Sequence, residues 1–227
     1  MAYTNYGDLP LSVAAWLAKD NYDHDPDVVS VTSFIKPIRE LILSQRVPKG
    51  STQDPDIMDM LKSRIGTAIH ESIERVWQDD SYKEPLRLLG IPDKVIDRII
   101  VNAEQGVANA IPMYSEHTMY KMVGDYEFRG TADFILNGQL QDFKSTSTYS
   151  YNSRLKDLKY SLQGGMYRWM DPTVITQDYL HIIEIYLDWL PIKAKVSAEG
   201  TYPPYPIIVK KIPLMSVAET QRYINGR

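Results

Sequence analysis

The sequence predicts an α/β fold, in an α+β layout, in which helices flank a central mixed β-sheet. Apolar residues recur at helical spacing in the first half of the chain, and from Met113 their period changes toward two, which is typical of strands. A later helical segment lies between two strand segments, as a crossover would. With 227 residues and 44% hydrophobic content, we expect one domain. Its helical N-terminal part is predicted to cover about 1–111 and its sheet-containing core about 112–227.

Three helices are predicted in the first half. The first runs from about 31 to 45, with Thr32 or Ser33 as its N-cap and Pro37 in its early part. A loop rich in Pro, Gly, Ser and Asp follows. The second helix covers 57–77, where the apolar stripe has helical spacing, and the third covers 93–110, just after Pro92.

The second half is predicted to be mainly strands. A helix interrupts them and a second helix ends the chain, because the period returns to that of a helix in both places. The predicted strands are 114–123, 126–136, 139–145, 181–190, 192–196 and 207–212, and the predicted helices are 152–169 and 216–224.

The composition excludes several classes of site. The chain has no cysteine, so disulfides, thiolate zinc sites, iron–sulfur clusters and cysteine nucleophiles are excluded. Any metal must be bound by oxygen and imidazole ligands. The formal net charge of −4 argues against a protein that coats nucleic acid by bulk attraction, although a local basic groove remains compatible with it.

The chain lacks the patterns of membrane insertion and secretion. It has no apolar run of about 18 residues, and its first residues lack the basic and then apolar layout of a signal peptide. We therefore expect a soluble cytoplasmic protein without membrane association.

A short hairpin places two acids and a lysine on one face. Asn137-Gly138 is a strong signal for a two-residue turn, because a type I′ turn needs positive φ at both central positions. Counting back from this turn sets Asp133 opposite Asp142, where like charges repel, and Lys144 returns to the same face two residues later. The arrangement predicts a cation between the acids. An exposed polar hairpin face is the alternative.

Gly66, His70 and Glu74 form a row at four-residue spacing on the helix over 57–77. The row does not match the zinc-protease pattern HExxH, because position 74 is Glu rather than His. A lone histidine here could equally be a helix-surface or core-edge residue.

Five short motifs occur in an order that resembles a known nuclease family. They are Gly66-Thr-Ala-Ile-His70, then Glu116, then Gly130-Thr-Ala-Asp133, then Asp142-Phe-Lys144, and finally Gln163-Gly-Gly-Met-Tyr167. In this order the chain resembles the RecB-like branch of the PD-(D/E)XK nucleases. Within that branch it is similar to CRISPR-associated and phage-type DNA exonucleases. The resemblance implies a restriction-endonuclease-like core and a metal-dependent phosphodiesterase.

The resemblance also implies roles for single residues. Asp133 and Asp142 would bind Mg²⁺ or Mn²⁺, the backbone carbonyl of Phe143 would add a ligand, and Lys144 would orient or deprotonate the attacking water. His70 would contribute to the metal site.

Two acidic residues beside the metal site each have two alternative roles. Glu74 would touch the site, or it would hold the tautomer of His70 without binding the metal itself. Glu116 either reaches the metal or ends as a solvated edge residue.

The helix predicted over 152–169 would supply the remaining contacts. By the resemblance, Gln163 and Tyr167 contact the active site and the DNA backbone, with ordinary helix packing as the alternative for Tyr167. Four basic residues on or next to this helix could bind DNA phosphates or form a solvated basic face. They are Arg154, Lys156, Lys159 and Arg168.

The sequence departs from the family pattern at two places. The proline that gives the family its name is Ala132 here, which weakens the motif more than the chemistry. Many relatives carry four cysteines for an iron–sulfur cluster, and the segment resembling part of that region, Phe34-Ile-Lys-Pro-Ile-Arg39, has none. We therefore expect a member without a cluster. A phosphate-binding loop of the Walker type is absent, so the chain does not encode ATP-driven unwinding.

The expected function is a metal-dependent DNA exonuclease that processes linear DNA ends in recombination, repair or replication. The chain would be encoded by a phage or a bacterium. The alternative is a nuclease-like fold kept as a DNA-binding or assembly subunit with little catalysis. A homo-oligomer or a recombination-protein partner is compatible with this function.

Overall fold

The structure, a computed structural model, describes residues 3–19, 28–46, 54–102, 107–153 and 155–227. Within these residues the α-helices are α1 (Leu11–Ala18), α2 (Val31–Phe34), α3 (Ile38–Arg46), α4 (Leu61–Gln78), α5 (Lys83–Leu88), α6 (Asp93–Ile96), α7 (Leu155–Met170), α8 (Pro191–Val196) and α9 (Val217–Asn225). The strands are β1 (Val28–Ser30), β2 (Ile99–Val101), β3 (Ile111–Val123), β4 (Tyr126–Leu136), β5 (Gln139–Thr146), β6 (Tyr179–Tyr186) and β7 (Ile207–Pro213).

All seven strands form one mixed sheet, which confirms the predicted fold class. Six of them lie in the order β2-β3-β4-β5-β6-β7, and β1 pairs with β4. The pairs β1/β4, β2/β3 and β5/β6 are parallel, and the other pairs are antiparallel. Because β1 and β2 come from the part of the chain before residue 111, the predicted division there is not a boundary of the sheet.

Helices cover the two faces of the sheet. On one face, α4 contacts the sheet through Trp77, whose ring lies 5.2 Å from that of Phe134. On the other face, α7 packs so closely that a Cβ added to Gly164 would lie 2.5 Å from Leu214 and 3.4 Å from Leu140. Side chains alternate between the two faces along a strand. Phe134 is directly opposite Gln141, so the next residue, Leu140, lies on the other face, and the two helices therefore contact opposite faces. The helix α9 packs beside α7.

Most predicted elements are confirmed with small shifts of their ends. The three strands of the meander, the crossover helix α7, the strands β6 and β7 and the final helix α9 all form. The N-terminus of α9 has the capping box of Ser216 and Glu219, in which each side chain accepts a hydrogen bond from the backbone of the other. In the described residues, every helix is too short or too polar to cross a membrane.

Two predicted elements are wrong. The helix over 93–110 ends at Ile96, and the chain then forms β2, because the β-branched run Ile99–Val101 pairs in parallel with β3. The strand over 192–196 is instead the helix α8, which begins with Pro191, a residue suited to the first turn of a helix. In both places the tertiary context decides a short segment whose local preference is weak.

The first predicted helix is split in two. The N-cap is Ser30, two residues before Thr32, the first of the two predicted caps, and its side chain accepts a hydrogen bond from the Ser33 N–H. The chain starts again as α3 after Pro37. The structure also contains α1, α5 and β1, which the sequence did not predict. Of the predicted loop over 47–56, residues 47–53 lie outside the described residues.

Candidate metal centre

The hairpin of β4 and β5 closes as predicted. Asn137 and Gly138 have φ values of +50° and +78°, which satisfies the requirement of a type I′ turn. Leu136 pairs with Gln139 across the turn. The predicted register is therefore confirmed for the three pairs next to the turn, whereas Asp133 and Asp142 are not among the paired residues.

The two strands separate three pairs beyond the turn. The ladder ends at Phe134 and Gln141, and the next positions in this register are Asp133 and Asp142. Further along β4, β1 pairs with the edge that β5 has left, because the other edge of β4 is paired with β3. The two acids therefore lie at the mouth of a cleft inside the sheet, where backbone pairing has stopped.

Three side chains converge on this cleft as a candidate metal site. His70, Glu116 and Asp133 each offer one ligand atom, and these atoms all lie within 4.8 Å of one another. One imidazole and two carboxylates, from α4, β3 and β4, are a ligand set suited to a divalent cation such as Mn²⁺ or Mg²⁺. Of the predicted metal ligands, His70 and Glu116 thus lie with Asp133.

The contacts of His70 leave a place for a cation. Its Nε2 lies 2.8 Å from the carbonyl oxygen of Phe143, and its Nδ1 lies 3.4 Å from Oδ2 of Asp133. A neutral imidazole that donates from Nε2 presents only a lone pair at Nδ1. That lone pair would face a carboxylate oxygen, which already accepts from the Phe143 N–H at 3.1 Å. A proton or a metal ion between Nδ1 and Oδ2 removes the conflict.

Gly66 lets α4 approach the sheet at this site. A Cβ added to it would lie 3.2 Å from Oγ of Ser145, which is tighter than an ordinary van der Waals contact. The glycine is one helical turn before His70. It therefore allows the histidine to reach the strand that carries Phe143.

Glu116 reaches the site through an unusual backbone conformation. Its φ is +49° in the middle of β3, a conformation that is costly for a residue with a long side chain. The regular pairing of β3 with β4 skips Glu116 and Asp133, although the pairs on both sides are present. The residue is exposed at the cleft mouth, but partial burial of its carboxyl group raises its pKa to about 7, with Asp133 and Glu74 adding to the shift.

Asp142 pairs with Lys144 beside the metal-ligand group. Its Oδ2 lies 2.5 Å from Nζ of Lys144, and the aspartate is only 6% exposed. Burial and the nearby charge of Asp133 raise the pKa of Asp142 to about 6, although the ammonium of Lys144 opposes this shift. Asp142 therefore adjoins the group of His70, Glu116 and Asp133, with its carboxylate directed to the lysine.

Lys144 remains a cation in this setting. Burial alone would lower its pKa, but the carboxylates of Asp142 and Asp133 outweigh burial and hold the pKa above its ordinary value. About a third of the side chain is exposed. An ammonium group that is partly open to solvent and fixed by an aspartate can donate hydrogen bonds to water or to a phosphate oxygen.

Gln163 and Tyr167 line a pocket at the two aspartates of the cleft. They line it together with Asp133 and Asp142, and Nε2 of Gln163 donates a 2.9 Å hydrogen bond to the hydroxyl oxygen of Tyr167. The ring of Tyr167 lies against Gly130, where an added Cβ would be 2.8 Å away. Because both side chains are almost fully buried, they support the site from beneath.

Tyr160 is a neighbour of the site that sequence reasoning missed. It is buried, and burial together with the charges of Glu184 and Asp142 raises its pKa to about 12. It lies three residues before Gln163 on α7, and this helical spacing is the signal that could have identified it.

The predicted basic surface is smaller than expected. Lys156 and Lys159 are partly or fully exposed in the first turns of α7, but the assignment of Arg168 to this surface is wrong. Arg168 is 8% exposed, and its guanidinium donates hydrogen bonds to Asp178 and to the carbonyl oxygen of Met215. It therefore joins α7 to two connecting segments. Arg154 lies outside the described residues.

Of the two roles predicted for Glu74, holding the His70 ring is wrong. Both ring nitrogens of His70 contact Phe143 and Asp133, whereas Glu74 accepts a hydrogen bond from Gln78. Its influence on the site is electrostatic, through the raised pKa of Glu116.

The comparisons with known proteins show the fold alone. No family model matches the chain, and no curated protein matches it. A solved structure, described as the crystal structure of SSO0001, has a TM-score of 0.52 with 12% sequence identity. The match covers 94% of this chain and 81% of that one. At this identity the likeness extends to the path of the backbone and not to activity.

Proposed function

We propose that the protein is a DNA exonuclease that depends on Mg²⁺ or Mn²⁺ and processes linear ends in recombination, repair or replication. The observation that carries the proposal is the convergence of His70, Glu116 and Asp133 beside the ion pair of Asp142 and Lys144. The order of motifs in the sequence supports the reaction class and a phage or bacterial origin.

The residues of the cleft fit a bound divalent cation. His70, Glu116 and Asp133 would hold it, and Asp142 would be available as a neighbouring carboxylate. When bound, Mg²⁺ or Mn²⁺ supplies a water of lowered pKa and neutralises charge on the phosphate. The conflict between His70 Nδ1 and Oδ2 of Asp133 is the structural observation that such a cation would relieve.

The side chains around the cation would position the reactants. Lys144 donates hydrogen bonds from Nζ to the attacking water or to a phosphate oxygen, while Asp142 fixes its direction. Gln163 and Tyr167 line the pocket together with Asp133 and Asp142. Lys156 and Lys159 would attract the DNA backbone without reading its sequence.

The test uses the full chain with linear duplex DNA and covalently closed duplex DNA. With Mn²⁺ or Mg²⁺ we expect nucleotide release from the linear DNA only, and no release in chelator or with Asp142→Asn. The matched control is Asp125→Asn in the turn between β3 and β4, which we expect to retain full activity. Activity that persists in chelator would contradict the proposal, and tight DNA binding without turnover would favour a non-catalytic binding subunit. Cleavage of the closed DNA would indicate an endonuclease.

A further inference from the structure

The connection between β5 and α7 is fixed in place although it lies on the surface. This segment, residues 147–153, is called here the anchored loop. Its first half is held by Asp188, whose carboxylate accepts hydrogen bonds from the Thr148 N–H and from Oγ of Ser147, both at 2.7 Å. These hydrogen bonds hold the pKa of Asp188 below its ordinary value. The carboxylate is therefore charged at neutral pH and keeps both contacts.

The second half of the anchored loop is tied to the core and to a distant turn. Nζ of Lys210 donates a 3.0 Å hydrogen bond to the carbonyl oxygen of Tyr151. The same ammonium group contacts Glu184, which is 1% exposed. The side chain of Asn152 donates to the carbonyl oxygen of Gly200 at 2.9 Å. The loop is thus restrained at both ends and reaches into the sheet.

The anchored loop presents one aromatic ring to solvent. Tyr149 is 98% exposed and lies in the 3₁₀ turn Thr148–Ser150. Most tyrosines in a folded domain bury their rings, because burial of aromatic surface is a large favourable contribution to folding. A ring exposed on a restrained loop contributes little to stability. Its position is suited to contact with a molecule outside the chain.

Tyr149 lies within reach of a nucleic acid strand bound at the cleft. It is five residues after Lys144, so their Cα atoms are at most about 17 Å apart along an extended chain. This distance corresponds to about five stacked nucleotides at roughly 3.4 Å each. Lys156 and Lys159 follow at the start of α7. These lysines come seven and ten residues after Tyr149 in the chain. Proteins that bind single-stranded nucleic acid combine aromatic rings, on which bases stack, with cations that attract the phosphates.

We propose that Tyr149 is a stacking platform for an unpaired base of the DNA strand whose end enters the cleft. The inference rests on the proposed nuclease function and deepens it, because it assigns a binding residue for single-stranded ends. The base would stack on the exposed ring, and the loop contacts of Asp188 and Lys210 would keep the ring in place. The lysines of α7 would contribute the part of the affinity that depends on salt.

The test measures binding of the full chain, in chelator, to a single-stranded oligonucleotide containing 2-aminopurine. Tyr149→Ala should weaken binding about 10-fold and remove the quenching of 2-aminopurine fluorescence that stacking produces. Tyr149→Trp should keep both signals. The control is Tyr126→Ala, since Tyr126 is 65% exposed but lies seven positions along β4 from Asp133, about 23 Å away. It should bind as the wild type does.

Further measurements separate this inference from the nuclease proposal. Lys159→Ala should reduce the dependence of affinity on salt concentration, whereas Tyr149→Ala should leave that dependence unchanged. Binding of Tyr149→Ala within about twofold of the wild type overturns the platform, as does an equal loss in Tyr126→Ala. A wild type that binds through Tyr149 but releases no nucleotides with Mn²⁺ contradicts only the nuclease proposal. A wild type that does not bind the oligonucleotide overturns the platform as well.

Discussion

Two neighbouring regions of the sheet contain buried carboxylates in opposite situations. On β6, Glu184 is 1% exposed, and it accepts hydrogen bonds from Lys210 at 3.1 Å and from the hydroxyl of Tyr186. In the cleft between β4 and β5, Asp142 is 6% exposed and its Oδ2 meets Nζ of Lys144, while Asp133 repels it. The first carboxylate has partners on more than one side, whereas the second adjoins another acid.

The difference shows how the sheet separates structural from functional acids. Around Glu184 the ladders of β5, β6 and β7 are continuous, so the chain itself supplies the compensating groups. Around Asp133 the ladder has ended, and the neighbouring groups are mostly acceptors. An added cation would complete the second arrangement and has no place in the first.

Removal of one charge from the cleft should abolish most of the activity without unfolding the chain. In Asp133→Asn the amide oxygen can still accept from the Phe143 N–H, but the ligand charge is lost. We expect turnover on linear DNA to fall about 10³-fold, because metal-dependent stabilisation contributes several kcal/mol. Nucleotide release measures this loss, with Asp125→Asn as the control of equal charge change. A loss of less than about 10-fold would show that Asp133 does not bind the metal.

Removal of the Lys210 ammonium group beside Glu184 should instead lower the stability of the fold. Lys210→Met leaves a buried carboxylate without its main partner, which should lower the free energy of unfolding by about 3 kcal/mol. Urea denaturation measures the change.

The double variant Glu184→Gln with Lys210→Met is the matched control for this second prediction. It should recover most of the loss, because the buried charge is gone and the amide can still bind the hydroxyl of Tyr186. If the double variant is as unstable as Lys210→Met alone, the loss comes from packing rather than from charge.

Bound metal and rising pH should have opposite effects on the stability of the folded protein. The pKa values of about 7 for Glu116 and about 6 for Asp142 lie above those of the unfolded chain. The folded state therefore holds more protons than the unfolded state between about pH 4 and 7, so these groups lower stability as pH rises through that window. In chelator, we expect this contribution to decrease Tm as pH rises from about 4 to 7.

Mn²⁺ should reverse this trend, since it competes with those protons. At 100 times its Kd the ion stabilises the folded state by about 2.7 kcal/mol, and the increase in Tm should be larger at pH 8 than at about pH 5.5. Thermal unfolding followed by circular dichroism measures both effects. An increase in Tm that is equal at the two pH values would argue against ligands of raised pKa.

Relief of the strained backbone conformation at Glu116 should have the smallest effect on the free energy of unfolding. Asparagine tolerates positive φ better than glutamate does, so Glu116→Asn should raise the free energy of unfolding by about 1 kcal/mol in chelator. The same variant should weaken Mn²⁺ binding, because a ligand is lost. Calorimetric titration and urea denaturation measure the two changes. Glu127→Asn, in the ordinary conformation of β4, is the control and should not gain stability.

Local rules were sufficient for the hairpin and insufficient for the short elements around it. The turn at Asn137-Gly138 and the alternation of the strands depend on residues next to one another, so the register could be counted from the sequence. The segments that became β2 and α8 are short and have mixed preferences. Their structure depends on the neighbours that they contact, and single-sequence patterns do not contain that information.

The sequence by itself determined that Asp133, Asp142 and Lys144 share the end of one hairpin, since a tight turn and a period of two fix these positions. Only the tertiary structure decided that His70 and Glu116 arrive at the same place. Their approach depends on how α4 packs on β5 and on the positive φ of Glu116, which are contacts between distant parts of the chain. The burial of Arg168 has the same origin, because its acceptors lie on segments that pack against α7 only in the folded molecule.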